Sequence, residues 1–121
     1  MIKEQKLNDF WNSFEWPAYD ENTVPDDVTL PHITYTSVVD SIGNNVALSA
    51  SLWDRSRSWV SVTQKADQIG AYIGLGGKLI PYGTGAIWIR RGQPFAQRMS
   101  DEDDGIRRIY LNITAEYISA D

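Results

Sequence analysis

Apolar and small polar side chains alternate from Leu48 to Leu52, within a predicted strand over residues 46–53. Val46, Leu48, Ala50 and Leu52 share one face of an extended segment, while Ser49 and Ser51 share the other, the two-residue period of a half-buried strand. After the polar break at residues 54–58 the period lengthens. Trp59, Val62, Ala66, Ile69 and Ile73 recur at steps of three and four, which predicts a helix over residues 58–75 with an apolar stripe along one side. Ser58 is the expected N-cap, because its hydroxyl can accept from an orphan amide of the first turn. Gly74, Gly76 and Gly77 are the expected stop. This strand and helix form the hub of a small α+β domain.

The rest of the pattern is built around that hub. Leu7, Phe10, Trp11 and Phe14 lie at helical spacing and predict a first helix over residues 2–14, its aromatic stripe turned to the core. Residues 15–30, with Pro17, Pro25 and the acids Asp20, Glu21, Asp26 and Asp27, read as a long irregular segment. A strand is predicted over residues 32–40, with a turn at 41–45 where Gly43, Asn44 and Asn45 tolerate positive φ. Residues 78–81 form a short edge strand, since Pro81 cannot donate to a ladder. Residues 86–91 form another strand, 93–105 a second polar loop, and 106–118 the longest strand. The expected fold class is therefore α+β, one domain over residues 1–121, with an antiparallel sheet packed by two helices in the order α-β-β-α-β-β-β.

Composition narrows the function. With 42% hydrophobic residues and five Trp the chain has material for a core, and 121 residues suit one domain. Without cysteine there is no disulfide, thiolate metal site or thiol nucleophile. The charged first residues lack the apolar stretch of a signal peptide, and no run approaches the length of a membrane span. A soluble protein folded in a reducing compartment is expected, without a membrane partner. A net charge of −5 argues against direct nucleic-acid recognition. That charge is unevenly placed: residues 1–54 carry −7, and residues 55–108 carry +4 and all seven arginines. This is either an unevenly charged solvated surface or the two halves of a head-to-tail contact between copies.

No chemical motif survives scrutiny. Gly74-Leu75-Gly76-Gly77-Lys78 lacks the phosphate-loop spacing and follows a helix instead of preceding one. His32 is the sole histidine, which excludes histidine-based triads and multi-histidine metal sites. Asp101, Glu102, Asp103 and Asp104 lie side by side, without the alternating ligand positions of a calcium loop. The sequon at Asn112-Ile113-Thr114 falls within a predicted strand. No catalytic residue, cofactor site or metal site is expected, and the protein is not expected to be an enzyme.

One resemblance bears on function. The strand opening with Leu30-Pro31-His32-Ile33-Thr34-Tyr35 is followed by a return ending in Leu52-Trp53-Asp54. Then come Arg57-Ser58-Trp59 into a helix, Ile87-Trp88-Ile89-Arg90, Gly92-Gln93-Pro94-Phe95 and Arg108-Ile109-Tyr110-Leu111-Asn112-Ile113. This succession resembles the tail terminator (tail completion) proteins of long-tailed bacteriophages, over about residues 2–118. The resemblance implies a structural virion protein located in the tail and assembled in the host cytoplasm. It would form a hexameric ring on the finished tail tube, ending polymerisation and presenting the head-joining surface. Its partners would be copies of itself, the tail tube protein and a neck or head-completion protein. The charge split leads to the expectation that, in such a ring, acids among Asp20, Glu21, Asp26 and Asp27 of one subunit face arginines among Arg90, Arg91, Arg98 and Arg107 of the next. The alternatives are another neck or head–tail joining component, or a small ligand-binding or enzymatic domain using a cleft between helix and sheet.

Overall fold

The computed structural model describes residues 3–37 and 45–118. Its elements are α1 (Lys3–Asn12), β1 (Ala18–Asp20), β2 (His32–Tyr35), β3 (Asn45–Arg55), α2 (Val60–Ile73), β4 (Lys78–Tyr82), β5 (Gly85–Met99) and β6 (Ile106–Ile118). The strands form one six-stranded sheet in the order β1-β2-β3-β6-β5-β4. The sequence-based order lacks a strand, and an all-antiparallel sheet is incorrect: the order is α-β-β-β-α-β-β-β, and β1 pairs with β2 in parallel.

The additional strand, β1, has no alternating pattern because it is three residues long and held mainly by its neighbours. The Asn12 side chain at the end of α1 accepts from Ala18 N at 3.0 Å and donates to Ala18 O at 3.2 Å. On the other edge, Ile33 N donates to Pro17 O and Glu21 N to Tyr35 O. An asparagine amide thus takes the place of a neighbouring strand. A second departure is at β5, which runs on to Met99 through residues expected to be loop. Gly92, Gln93 and Pro94 fall where the β5–β6 register shifts between Arg91 and Ala96, so the proline costs no ladder bond. The bulge also needs Gly92, where an added Cβ would come within 2.8 Å of Asn112 O.

Smaller differences follow from local geometry. Helix α2 starts at Val60, and Trp59, not Ser58, occupies the N-cap position; Ser58 Oγ accepts from Val60 N at 3.1 Å. Gly74, at positive φ (74°), does end the helix, and Gly77 (φ 86°) turns the chain into β4. At Gly77 a Cβ would lie 2.6 Å from Trp88 Nε1 and 2.7 Å from Ile89 O, so β5 fits against this turn only because no side chain is there. Strand β2 stops at Tyr35, short of the expected residues 36 and 37, and Asn45, expected in the turn at 41–45, already belongs to β3; residues 38–44 of the expected strand and turn lie outside the described residues.

Alternation in the three long strands sets up the core. Leu48, Ala50 and Leu52 of β3, Ile87 and Ile89 of β5, and Ile109, Leu111, Ile113, Ala115 and Tyr117 of β6 are buried on one face. Val62, Ala66, Ile69 and Ile73 of α2 cover that face, as do Leu7, Phe10 and Trp11 of α1 with the following Phe14. Phe10 and Phe14 meet Tyr72 of α2 at 6.1 and 5.4 Å between ring centres, and Lys65 Nζ donates to Phe14 O, so the two helices lock together on the same side. Gly70 leaves room for Phe95, whose ring would lie 3.1 Å from a Cβ there.

Tyr35 lies in this core, stacked on Trp11 at 6.3 Å, with its hydroxyl accepting from Asn8 Nδ2 at 2.8 Å. Burial raises its pKa above the ordinary value of 10.0; the Asn8 hydrogen bond opposes the rise, and Asp20 and Asp9 add to it. The unfolded chain therefore loses this proton at lower pH than the folded one. The contribution is fully present below about pH 10 and is lost as pH rises through the folded pKa. In urea titrations Tyr35→Phe is expected to cost about 1 kcal/mol at pH 8. The gap to the unaltered protein should narrow at pH 11; a constant gap would contradict this assignment.

Candidate functional site

The two helices cover one face of the sheet and leave the other to the opposite phase of each strand. Paired rows can be read across it from the register. His32, Trp53, Arg108 and Met99 form one row, and Thr34, Ser51, Tyr110 and Gln97 the next. Short hydroxyls predominate in the middle. Thr36 Oγ1 both donates to Ser49 O and accepts from Ser49 N, closing the ladder where β2 ends. Trp53 Nε1 donates to Thr34 Oγ1 at 3.0 Å, which lays the indole across the β2–β3 pair. Tyr19 and Trp53 flank the His32 ring at 5.9 and 6.4 Å, and His32 Nδ1 lies 3.0 Å from Thr29 O.

Part of this face forms a half-open depression of about 470 Å³, with Thr34, Ser51, Trp53, Arg108 and Tyr110 among its walls and Glu21 also lining it. Arg108 stacks on Trp53, and its Nε donates to Ser51 Oγ at 3.0 Å. A second, more apolar hollow lies beside the α2–β4 turn, where Leu79, Trp88 and Ile118 meet Gly76, Gly77 and Lys78. Nearby Leu75 is 97% exposed and Leu79 59% exposed. Among the described residues, no group of three or more His, Asp or Glu is placed to hold a metal ion. No described helix is long and apolar enough to cross a membrane.

The residues singled out from sequence fall in three places. Asp20 ends β1; its carboxylate accepts from Asn22 N and Ser37 Oγ. Glu21, Asp26 and Asp27 are exposed in the connection that follows. Arg90 and Arg91 lie on β5, near the opposite edge of the sheet. Arg90 stacks on Trp88 at 4.2 Å and pairs with Glu116 at 3.7 Å. Arg98 and Arg107 converge on the other face, 4.8 and 5.3 Å from the Trp59 ring centre. Arg107 also donates from Nε and Nη2 to Arg57 O and from Nη1 to Asp104 O, tying the segment before α2 to the β5–β6 turn. The residue missed by sequence reasoning is Arg108. Its signal was in the alternation, since Arg108 shares the polar phase of β6 with Tyr110, Asn112 and Thr114.

Comparison with known protein families, curated proteins and solved structures gave no match to this chain.

Because Trp59 is the platform for two guanidinium groups and the anchor at the start of α2, Trp59→Ala is expected to lower unfolding stability by about 2 kcal/mol. Trp59→Phe should restore part of it by keeping a ring under both arginines. Equal losses in the two variants, measured by urea unfolding, would exclude the stacking role.

Proposed function

We propose that the protein is a structural virion subunit of the tail-terminator type. It forms a ring on the end of a tail tube, stops tube polymerisation and offers a surface to a neck or head-completion protein. It acts by contact and carries out no reaction. The observation that carries this reading is the one-sided sheet, with a hydroxyl-rich strand face that no described helix covers. Neutral, β-favouring side chains on a broad open face suit docking between proteins better than enclosure of a small substrate.

Charge placement supports a head-to-tail ring. The exposed acids Glu21, Asp26 and Asp27 follow β1, at one edge of the sheet, and Arg90 and Arg91 lie beside β4, at the other. Opposite edges bearing opposite charge let each copy meet the next through two different surfaces, the heterologous contact that a ring requires. Arg98 and Arg107 already contribute to the Trp59 cluster, and Arg90 already meets Trp88 and Glu116, so Arg91 is the better placed of the four for this contact. Exposed pairs add only about 0–1 kcal/mol each, which sets register and leaves firm assembly to the tube end. The exposed apolar side chains Leu75, Leu79 and Ile118 supply contact area near the same β4 edge.

Tails assembled without the protein are expected to be overlong under the electron microscope. Tubes of normal length lacking heads would make it a joining component instead, and intact particles would refute both roles. Rings formed on purified tubes should dissociate more readily as salt rises, and Asp26→Asn with Asp27→Asn should have a similar effect at low salt. Indifference to both changes would exclude charge pairing.

A further inference from the structure

Packing alone does not account for Arg108. It stands half-buried on the uncovered sheet face, its guanidinium 4.6 Å from the Trp53 ring centre and 5.9 Å from that of Tyr110. Nε is spent on Ser51 Oγ, and because that oxygen accepts, the Ser51 hydroxyl keeps its proton to donate. The Nη1 and Nη2 groups have no hydrogen-bond or ion-pair partner among the described residues. Ring stacking fixes the plane of the guanidinium and the Nε bond fixes its rotation. The free edge is therefore preorganised where it lines the depression, and such a fork matches an oxyanion in two parallel hydrogen bonds.

We propose that this depression is the docking point for one carboxylate side chain, an aspartate or glutamate of a partner protein lying across the bare strands. Three observations select that occupant. Trp53, Tyr110 and Arg108 are the residue types that concentrate binding energy at protein interfaces, and Thr34 and Ser51 ring them with small groups able to exclude water. The hollow is about half open to solvent along the strand face, whereas small-molecule sites enclose most of their ligand. Glu21, which also lines it, opposes a second negative charge, which favours a lone carboxylate over a phosphodiester chain. The proposal rests on reading this protein as a structural subunit that meets other proteins through its bare face, but not on which virion component it is.

The test is a nuclear magnetic resonance titration of the full chain, following the Arg108 Nε–H and Ser51 amide signals. The probes are two capped peptides, Gly-Thr-Glu-Thr-Gly and Gly-Thr-Gln-Thr-Gly, with acetate and inorganic phosphate alongside. The glutamate peptide is expected to bind saturably, about ten-fold or more tightly than the glutamine peptide. Arg108→Lys should remove most of that difference because an ammonium lacks the fork. Glu21→Gln should tighten binding by about two-fold through loss of a nearby like charge, without altering the sheet. Equal binding of the two peptides, or no saturable shift with either, would overturn the proposal. Acetate or phosphate binding as tightly as the glutamate peptide would also overturn it, identifying a small-anion site instead. Normal tail length in the protein's absence would defeat the tail-terminator reading while leaving this titration unchanged. A flat titration alongside normal ring formation would defeat the carboxylate site alone.

Discussion

The pairing of β3 with β6 is the constraint on which the rest of the molecule depends. Residues 45–55 run antiparallel to residues 106–116 through the middle of the sheet, with Ala50 opposite Leu111 and Leu52 opposite Ile109. Side chains in a strand alternate, so slipping one strand by a single residue would turn its apolar set to water and its polar set toward the helices. Leu48, Leu52, Ile109, Leu111 and Ile113 are all buried at this seam. At about 1.5–3 kcal/mol for each buried side chain, exposing them would cost an amount comparable with the whole net stability of a small domain, about 5–15 kcal/mol. The ladder therefore fixes which face is core and, by the same choice, which face is left open.

Once that phase is set, the helices need to cover only one side. Their contacts with each other, through Phe10, Phe14, Tyr72 and Lys65, keep both on it. The opposite phase is then relieved of packing duty. That freedom lets Arg108 and Trp53 sit on central strands, where two-sided burial would have required aliphatic residues.

The same physics explains how far the fold could be read in advance. Long alternating runs such as 46–53 and 106–118, and the α2 stripe from Val62 to Ile73, announce themselves because many consecutive residues obey one period. β1 does not, since three residues hold no period, and its partners Asn12 and β2 are remote in sequence. The continuation of β5 was hidden by Gly92 and Pro94, which ordinarily end a strand. Here a bulge absorbs both, and Ala96 rejoins β6 opposite Leu111. The site was legible in part. Alternation predicted a polar strand face, but blocks of charge along the chain pointed to Arg98 and Arg107, which the register places on the helix side.

Charge counted along the sequence misleads because an arginine's availability depends on what its donors already meet. Four of the seven arginines stack on tryptophan: Arg90 on Trp88, Arg98 and Arg107 on Trp59, and Arg108 on Trp53. Stacking occupies the face of the guanidinium but not its rim, and the rim carries the hydrogen bonds. Arg107 spends its rim on the carbonyls of Arg57 and Asp104, so its positive charge serves the fold. Arg108 spends only Nε. Two adjacent residues of one strand, with the same side chain and the same kind of aromatic support, thus have different uses. The strand's alternation sends one to the helix side, where backbone carbonyls await it, and the other to an open face where they do not.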